Sequence, residues 1–145
     1  MAEPLAPKMT VDELCAFLIS EFPQMNSHGA RFTVEDISGR TVRMRMGFDE
    51  RMLRPGGTIS GPSMFALADI AMYAAVLAQV GPRLLAVTTN LNINFLRKPA
   101  PADMIAEATI LKLGKRLAVG EIALHSDGEE EMAAHATATY SIPDA

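Results

Sequence analysis

One acidic residue stands alone in a long uncharged stretch of this 145-residue chain. Between Pro55 and Gln79 the only charged side chain is Asp69, set among alanine, leucine, isoleucine and methionine. A carboxylate among apolar neighbours is unfavourable unless partners compensate it. Two readings account for it: a general base or nucleophile tuned by its surroundings, or a structural acid whose hydrogen bonds cap a neighbouring loop. Gly61 lies where the same run begins, at the expected N-terminus of a helix. There, unpaired backbone N–H groups and the positive end of the helix dipole favour a developing oxyanion; the plainer alternative is a turn glycine. Gly61 and Asp69 are about 12 Å apart along one helix axis at ~1.5 Å per residue, too far to touch one reacting carbon together. If both act on one substrate, they come from antiparallel helices of two subunits, and the site lies at a dimer interface.

Other candidates are weaker. The three histidines, His28, His125 and His135, lack the spacing of metal ligands, so no metal site is expected. His135 alternates with Thr137 and Thr139 on a polar strand face and is expected in solvent or at an interface. Two basic pairs, Arg97-Lys98 at a strand end and Lys115-Arg116 in a hairpin turn, either grip phosphates or are solvated turn charges. Asn90, Asn92 and Asn94 line a polar subunit interface or face water. Met64, Phe65, Met72 and Tyr73 shape a pocket or belong to the core. Cys15 is the only cysteine, which excludes an internal disulfide and suits a reducing compartment.

The elements that must hold these residues follow from patterning. Thr10-Val11-Asp12-Glu13 has the capping-box spacing and opens a helix that runs to about Glu21, before Pro23. Ala30 to Gly47 alternates, interrupted at Ser38-Gly39, which predicts two strands with Val42, Met44 and Met46 on one face. Asp49 to Ser60 reads as loop. Pro62 and Ser63 suit a first helical turn and Gly81-Pro82 a stop. A helix apolar on every side either spans a membrane or is buried in a fold. Asp69 near its middle and the lack of an aromatic belt favour burial. Leu84 to Leu96 alternates Val87, Thr89, Leu91, Ile93 and Phe95 against Thr88, Asn90, Asn92 and Asn94, and Lys98-Pro99-Ala100-Pro101 ends it. Strands follow at about Met104 to Leu113, Leu117 to His125 and Met132 to Ile142, with turns at Gly114-Lys115 and Asp127-Gly128. This order predicts an α+β layer fold, an antiparallel sheet with helices on one face.

With 49% apolar and 21% charged residues the composition is that of a globular protein, and the length suits a single domain over 1–145 with a helical N-terminal extension over 1–25. Thirteen basic against 17 acidic residues give a net charge of −4, with no uniform positive field for a nucleic-acid backbone. The segment from Met1 to Met9 has no apolar core of a signal peptide, so the expected location is cytoplasmic.

The run from Arg54-Pro55-Gly56-Gly57-Thr58-Ile59-Ser60-Gly61-Pro62-Ser63 to Asp69, and then Val87-Thr88-Thr89-Asn90-Leu91-Asn92-Ile93-Asn94-Phe95-Leu96-Arg97-Lys98-Pro99, resembles the PaaI-like acyl-CoA thioesterases of the hotdog fold. The likeness extends over about Gly47 to Pro143. It implies an antiparallel sheet wrapped around a long central helix, and hydrolysis of an acyl-CoA thioester. The Gly61 amide would hold the thioester oxygen, Asp69 would act as base or nucleophile, and Thr88 would help position water. Arg54, Ser60, Pro62 and Phe65 would contact substrate, while Arg97, Lys98, Lys115 and Arg116 would meet the CoA phosphates. No cofactor is implied, since CoA belongs to the substrate, and the family assembles as a dimer or dimer of dimers, the latter a homotetramer. Three positions depart from the family's pattern: Arg54 replaces an Asn, Ser60 a His, and Pro62 a Gly. These departures keep open a second class, a divergent or non-catalytic acyl-CoA-binding module. A dehydratase on the same fold would want a histidine where Ser60 stands.

Overall fold

The computed structural model describes residues 6–26 and 31–144; His28 and Ala30 lie outside them. Helix α1 (Val11–Glu21) starts as the sequence predicts. The Glu13 amide donates to Thr10 Oγ1 at 3.1 Å, and Glu13 Oε1 accepts from the Thr10 amide at 3.0 Å. Two first-turn groups are thereby satisfied reciprocally. A single 3-10 turn, Pro23–Asn26, leads on to β1 (Arg31–Ser38) and β2 (Thr41–Gly47). The stretch expected to be loop is more structured than its Pro and Gly content suggests. It holds a 3-10 turn over Glu50–Met52 and a short hairpin of β3 (Leu53–Arg54) and β4 (Thr58–Ile59).

Helix α2 (Gly61–Val80) is the centre of the molecule. Ser60 caps it by accepting from the Ser63 amide at 3.3 Å. Gly81 ends it with φ 92°, a conformation that suits a residue without Cβ. By length and composition α2 is apolar enough to cross a membrane, yet it packs inside the fold, with every residue from Ile70 to Gln79 buried. Gly120 explains how closely it approaches the sheet. A Cβ there would sit 2.7 Å from Met72 Sδ and 2.8 Å from the Thr109 carbonyl oxygen.

Strands β5 (Val87–Phe95), β6 (Met104–Leu113), β7 (Leu117–Ser126) and β8 (Ala134–Ser141) complete a six-stranded antiparallel sheet in the order β1-β2-β6-β7-β8-β5. The sheet wraps α2, which is the hotdog arrangement that the resemblance implies. Val42, Met44 and Met46 face inward and are buried. His125 and His135 stand on the opposite, polar face, beside Glu107 at 3.7 Å and Glu121 at 3.3 Å. On that face Arg45 ties three segments together through Glu35, Asp127 and Asp103 at 2.7, 2.9 and 3.1 Å.

One expectation about β5 is corrected. Simple alternation puts Val87 and Thr89 on the core face and Thr88 on the polar one, but a bulge between Thr88 and Asn90 shifts the register. An extra residue in one strand reverses the faces on either side of it. Thr88, paired with inward-facing Tyr140, therefore points at α2; beyond the bulge Leu91 and Ile93 pack on the core, and the three asparagines lie opposite Thr139, Thr137 and His135 on the outer face. β5 is also an edge strand, and Phe95 is 52% exposed.

Candidate active site

Thr88 and Tyr140 are direct cross-strand partners, so their side chains rise side by side from one face of the sheet. Both converge on α2. Thr88 Oγ1 donates to Asp69 Oδ1 at 2.6 Å and the Tyr140 hydroxyl donates to the same oxygen at 2.7 Å, while also lying 2.9 Å from the Asp69 carbonyl oxygen. Among the described residues, no donor reaches Oδ2. The carboxylate is therefore held through one oxygen, Oδ1. Burial, reinforced by the negative charge of Asp69, pushes the Tyr140 hydroxyl far above its ordinary range. It stays protonated and serves as a fixed donor.

Asp69 is half-buried and borders two hollows. One is a largely apolar cavity of about 430 Å³, whose walls include Met25, Phe32, Met46, Met52 and Ile70. The other, of about 390 Å³, includes Tyr73, Val87, Thr88 and Tyr140. The half-burial of Asp69 differs from the deep burial its apolar neighbours suggest. The N-terminal half of α2 leaves one stripe uncovered, with Pro62, Phe65 and Asp69 on the same side of the helix.

Gly61 opens a different space. It begins the helix, where the first amides have no acceptor within the helix, and it lines a cleft of about 440 Å³ with Arg54, Thr58, Phe95, Arg97 and Lys98. The Phe95 ring lies against it, 3.2 Å from where a Cβ would be. Within one chain, then, Gly61 and Asp69 line separate clefts.

The remaining expected site residues divide. Arg54, Arg97 and Lys98 share the Gly61 cleft, and Arg97 also pairs with Glu131. Lys115 and Arg116 do not join them. They precede Leu117, which pairs with Ser141 at the far end of β8, whereas Arg97 and Lys98 follow Phe95, which pairs with Ala134 at its start. The eight residues of β8 (Ala134–Ser141) place the two basic pairs about 23 Å apart at ~3.3 Å per step. Pro62 borders the Asp69 cavity rather than the Gly61 cleft. The Ser60 hydroxyl is taken up by the cap, donating to Ser63 Oγ at 3.0 Å. Phe65, 41% exposed on the uncovered stripe, borders none of these three hollows. Met72 is core and Tyr73 lines the smaller Asp69 cleft.

Tyr140 is the residue that sequence reasoning missed. Its signal was present: Ala134, Ala136, Ala138 and Tyr140 occupy the buried positions of β8, and a phenol at the end of such a row must find an acceptor. Among the described residues, no group of three or more His, Cys, Asp or Glu is placed to hold a metal ion.

Comparison with known proteins agrees with this fold. Residues 56–133 match the thioesterase superfamily. A Saccharolobus solfataricus protein provisionally named an esterase is 31% identical over 140 residues, 95% of this chain and 89% of that protein. The crystal structure of a provisionally named thioesterase from a Silicibacter species superimposes with a TM-score of 0.87 at 46% identity, covering 98% of this chain and 97% of that one. Zebrafish thioesterase superfamily member 2 shares the fold at 20% identity, with a TM-score of 0.79 over 94% of this chain and 100% of its own.

Proposed function

Because the chain belongs to the thioesterase superfamily, whose members hydrolyse thioesters, we propose that it cleaves acyl-CoA esters at sites shared between two subunits. Asp69 of one subunit acts as the general base or nucleophile, and the Gly61 amide of the other holds the thioester oxygen. The observation that carries this reading is the Asp69 carboxylate, fixed through Oδ1 by Thr88 and Tyr140 at the border of an apolar cavity.

In the general-base form, Oδ2 takes a proton from water as the water oxygen bonds to the acyl carbon. The carbonyl oxygen becomes an oxyanion at the Gly61 amide. The C–S bond then breaks, and the proton returns from Asp69 to the departing thiolate. Thr88 has already committed its hydroxyl proton to Asp69, so it positions water by accepting from it. The apolar cavity suits the acyl group, and Arg54, Arg97 and Lys98 beside Gly61 suit the phosphates of CoA.

Two further features support a shared site. In one chain the helix spacing keeps Gly61 and Asp69 about 12 Å apart. The stripe bearing Pro62 and Phe65 and the β5 edge with Phe95 are exposed, and unpaired strand edges favour association. Thiol release from a panel of acyl-CoA esters tests the proposal directly. The parent turns over and Asp69→Asn does not, while both unfold at similar temperatures; an equally active Asp69→Asn would end the assignment.

A further inference from the structure

Phe22 borders both hollows that meet at Asp69, the apolar cavity of about 430 Å³ and the cleft of about 390 Å³. Phe22 and Asp69 are the two residues that both linings share. Phe22 is the C-cap of α1, anchored by its amide to the Leu18 carbonyl at 2.9 Å. The ring meets Tyr73 edge to face, with centroids 5.9 Å apart and planes at 81°. Tyr73 in turn stacks on Tyr140 at 6.2 Å and donates to the Leu84 carbonyl at 3.2 Å. Phe22 is thus linked through Tyr73 to Tyr140, which also grips Asp69, and aromatic pairs prefer edge-to-face contacts of this kind.

We propose that Phe22 is the specificity-determining residue that limits the length of the acyl group. An acyl chain whose carbonyl lies at Asp69 enters the cavity walled by Met25, Phe32, Met46, Met52 and Ile70, and Phe22 denies it the space on the other side. The preferred substrates are apolar acyl groups short enough to lie within the larger cavity alone. This inference rests on the acyl-thioester reading above and adds to it the substrate class and the element that sets it. The N-terminal extension acquires a role in recognition, because its α1 helix ends on Phe22.

The test compares the parent with Phe22→Ala and Phe22→Trp on straight-chain esters from butanoyl-CoA to hexadecanoyl-CoA. It measures kcat/KM, and also the binding of non-hydrolysable thioether analogues of the same lengths. Removing the ring joins the two spaces, so Phe22→Ala raises kcat/KM for the longer esters relative to the shorter by at least about tenfold, the scale on which apolar pockets discriminate. Phe22→Trp shifts preference toward shorter chains, and the opposite directions of the two variants separate a measuring wall from general loosening of the fold. A uniform change across all lengths, in both turnover and binding, overturns the inference while leaving the hydrolase reading intact. Length-dependent binding that shifts with Phe22, in a protein without turnover, supports the inference and removes the hydrolase reading. If the parent neither binds nor hydrolyses any of the esters, both fall.

Discussion

Replacing Tyr140 by phenylalanine removes a single oxygen from the candidate site while leaving the ring to fill its space. That oxygen lies 2.7 Å from Asp69 Oδ1. A hydrogen bond to an ionised group contributes roughly 1.5–3 kcal/mol. Tyr140 is only 3% exposed, so water cannot readily take over and the upper part of that range applies. At about 1.4 kcal/mol per tenfold, a loss of about 2–3 kcal/mol lowers kcat by about 30- to 150-fold. Thr88 is exposed, so for Thr88→Val water offsets part of the lost bond. There we expect about 0.5–1.5 kcal/mol, or about 2- to 10-fold. Continuous detection of the released thiol gives kcat and KM for both variants. KM moves little in Tyr140→Phe because the hydroxyl acts through Asp69 and not on substrate. A Tyr140→Phe enzyme within about twofold of the parent, or one less impaired than Thr88→Val, would refute the proposed orientation of the carboxylate.

Three other outcomes follow from the same structure. Gly120→Ala should lower unfolding free energy by about 1–3 kcal/mol in urea denaturation, because the added Cβ meets the Thr109 carbonyl oxygen at 2.8 Å, a backbone atom that cannot swing aside. Arg45→Met should flatten the acid limb of the unfolding temperature. Although desolvation pulls Glu35 the other way, hydrogen bonds from Arg45 and Arg43 hold it below its ordinary 4.5, and a hydrogen bond from Arg45 holds Asp127 below 3.8. Depressed carboxylates contribute stability above their unfolded pKa values and lose it as pH falls through the folded ones. Thermal melts between neutral pH and pH 3 read the difference as a smaller acid loss in the variant, with Arg43 still bonded to Glu35, and an unchanged acid limb would remove Arg45 as its cause. Joint replacement of Arg97 and Lys98 by alanine should raise KM for CoA esters about 3- to 30-fold with kcat retained, since exposed phosphate contacts bind ground and transition state alike. An unchanged KM would detach the Gly61 cleft from the CoA phosphates.

Much of the fold was legible because local signals and burial agree. The Thr10–Glu13 capping box, the Ser38-Gly39 hairpin and the long, mostly apolar run of α2 each specify one element without reference to its partners. Asp69 and Gly61 were conspicuous for the same reason, as a charge and a glycine at telling positions of that run. What escaped was set by pairing between distant strands. The bulge that turns Thr88 inward depends on the register of β5 against β8, which alternation in β5 alone does not carry. Tyr140 acquires its meaning only when β8 lies beside β5 under α2. The separation of Lys115-Arg116 from Arg97-Lys98 also follows from strand order, since both pairs look alike as basic dipeptides near turns. Ser60, expected to touch substrate, is claimed by the end of the helix it precedes.

The central claim is that one chain's Asp69 works with another chain's Gly61 amide. Subunit complementation tests it most directly. Asp69→Asn and Gly61→Pro, the latter lacking the N–H but tolerated in a first helical turn, are each expected to be inactive. When the two are unfolded and refolded together, random pairing makes half the dimers mixed, each with one intact site, so acyl-CoA hydrolysis returns to about a quarter of the parental rate. A mixture as inactive as its components would contradict a site shared between subunits.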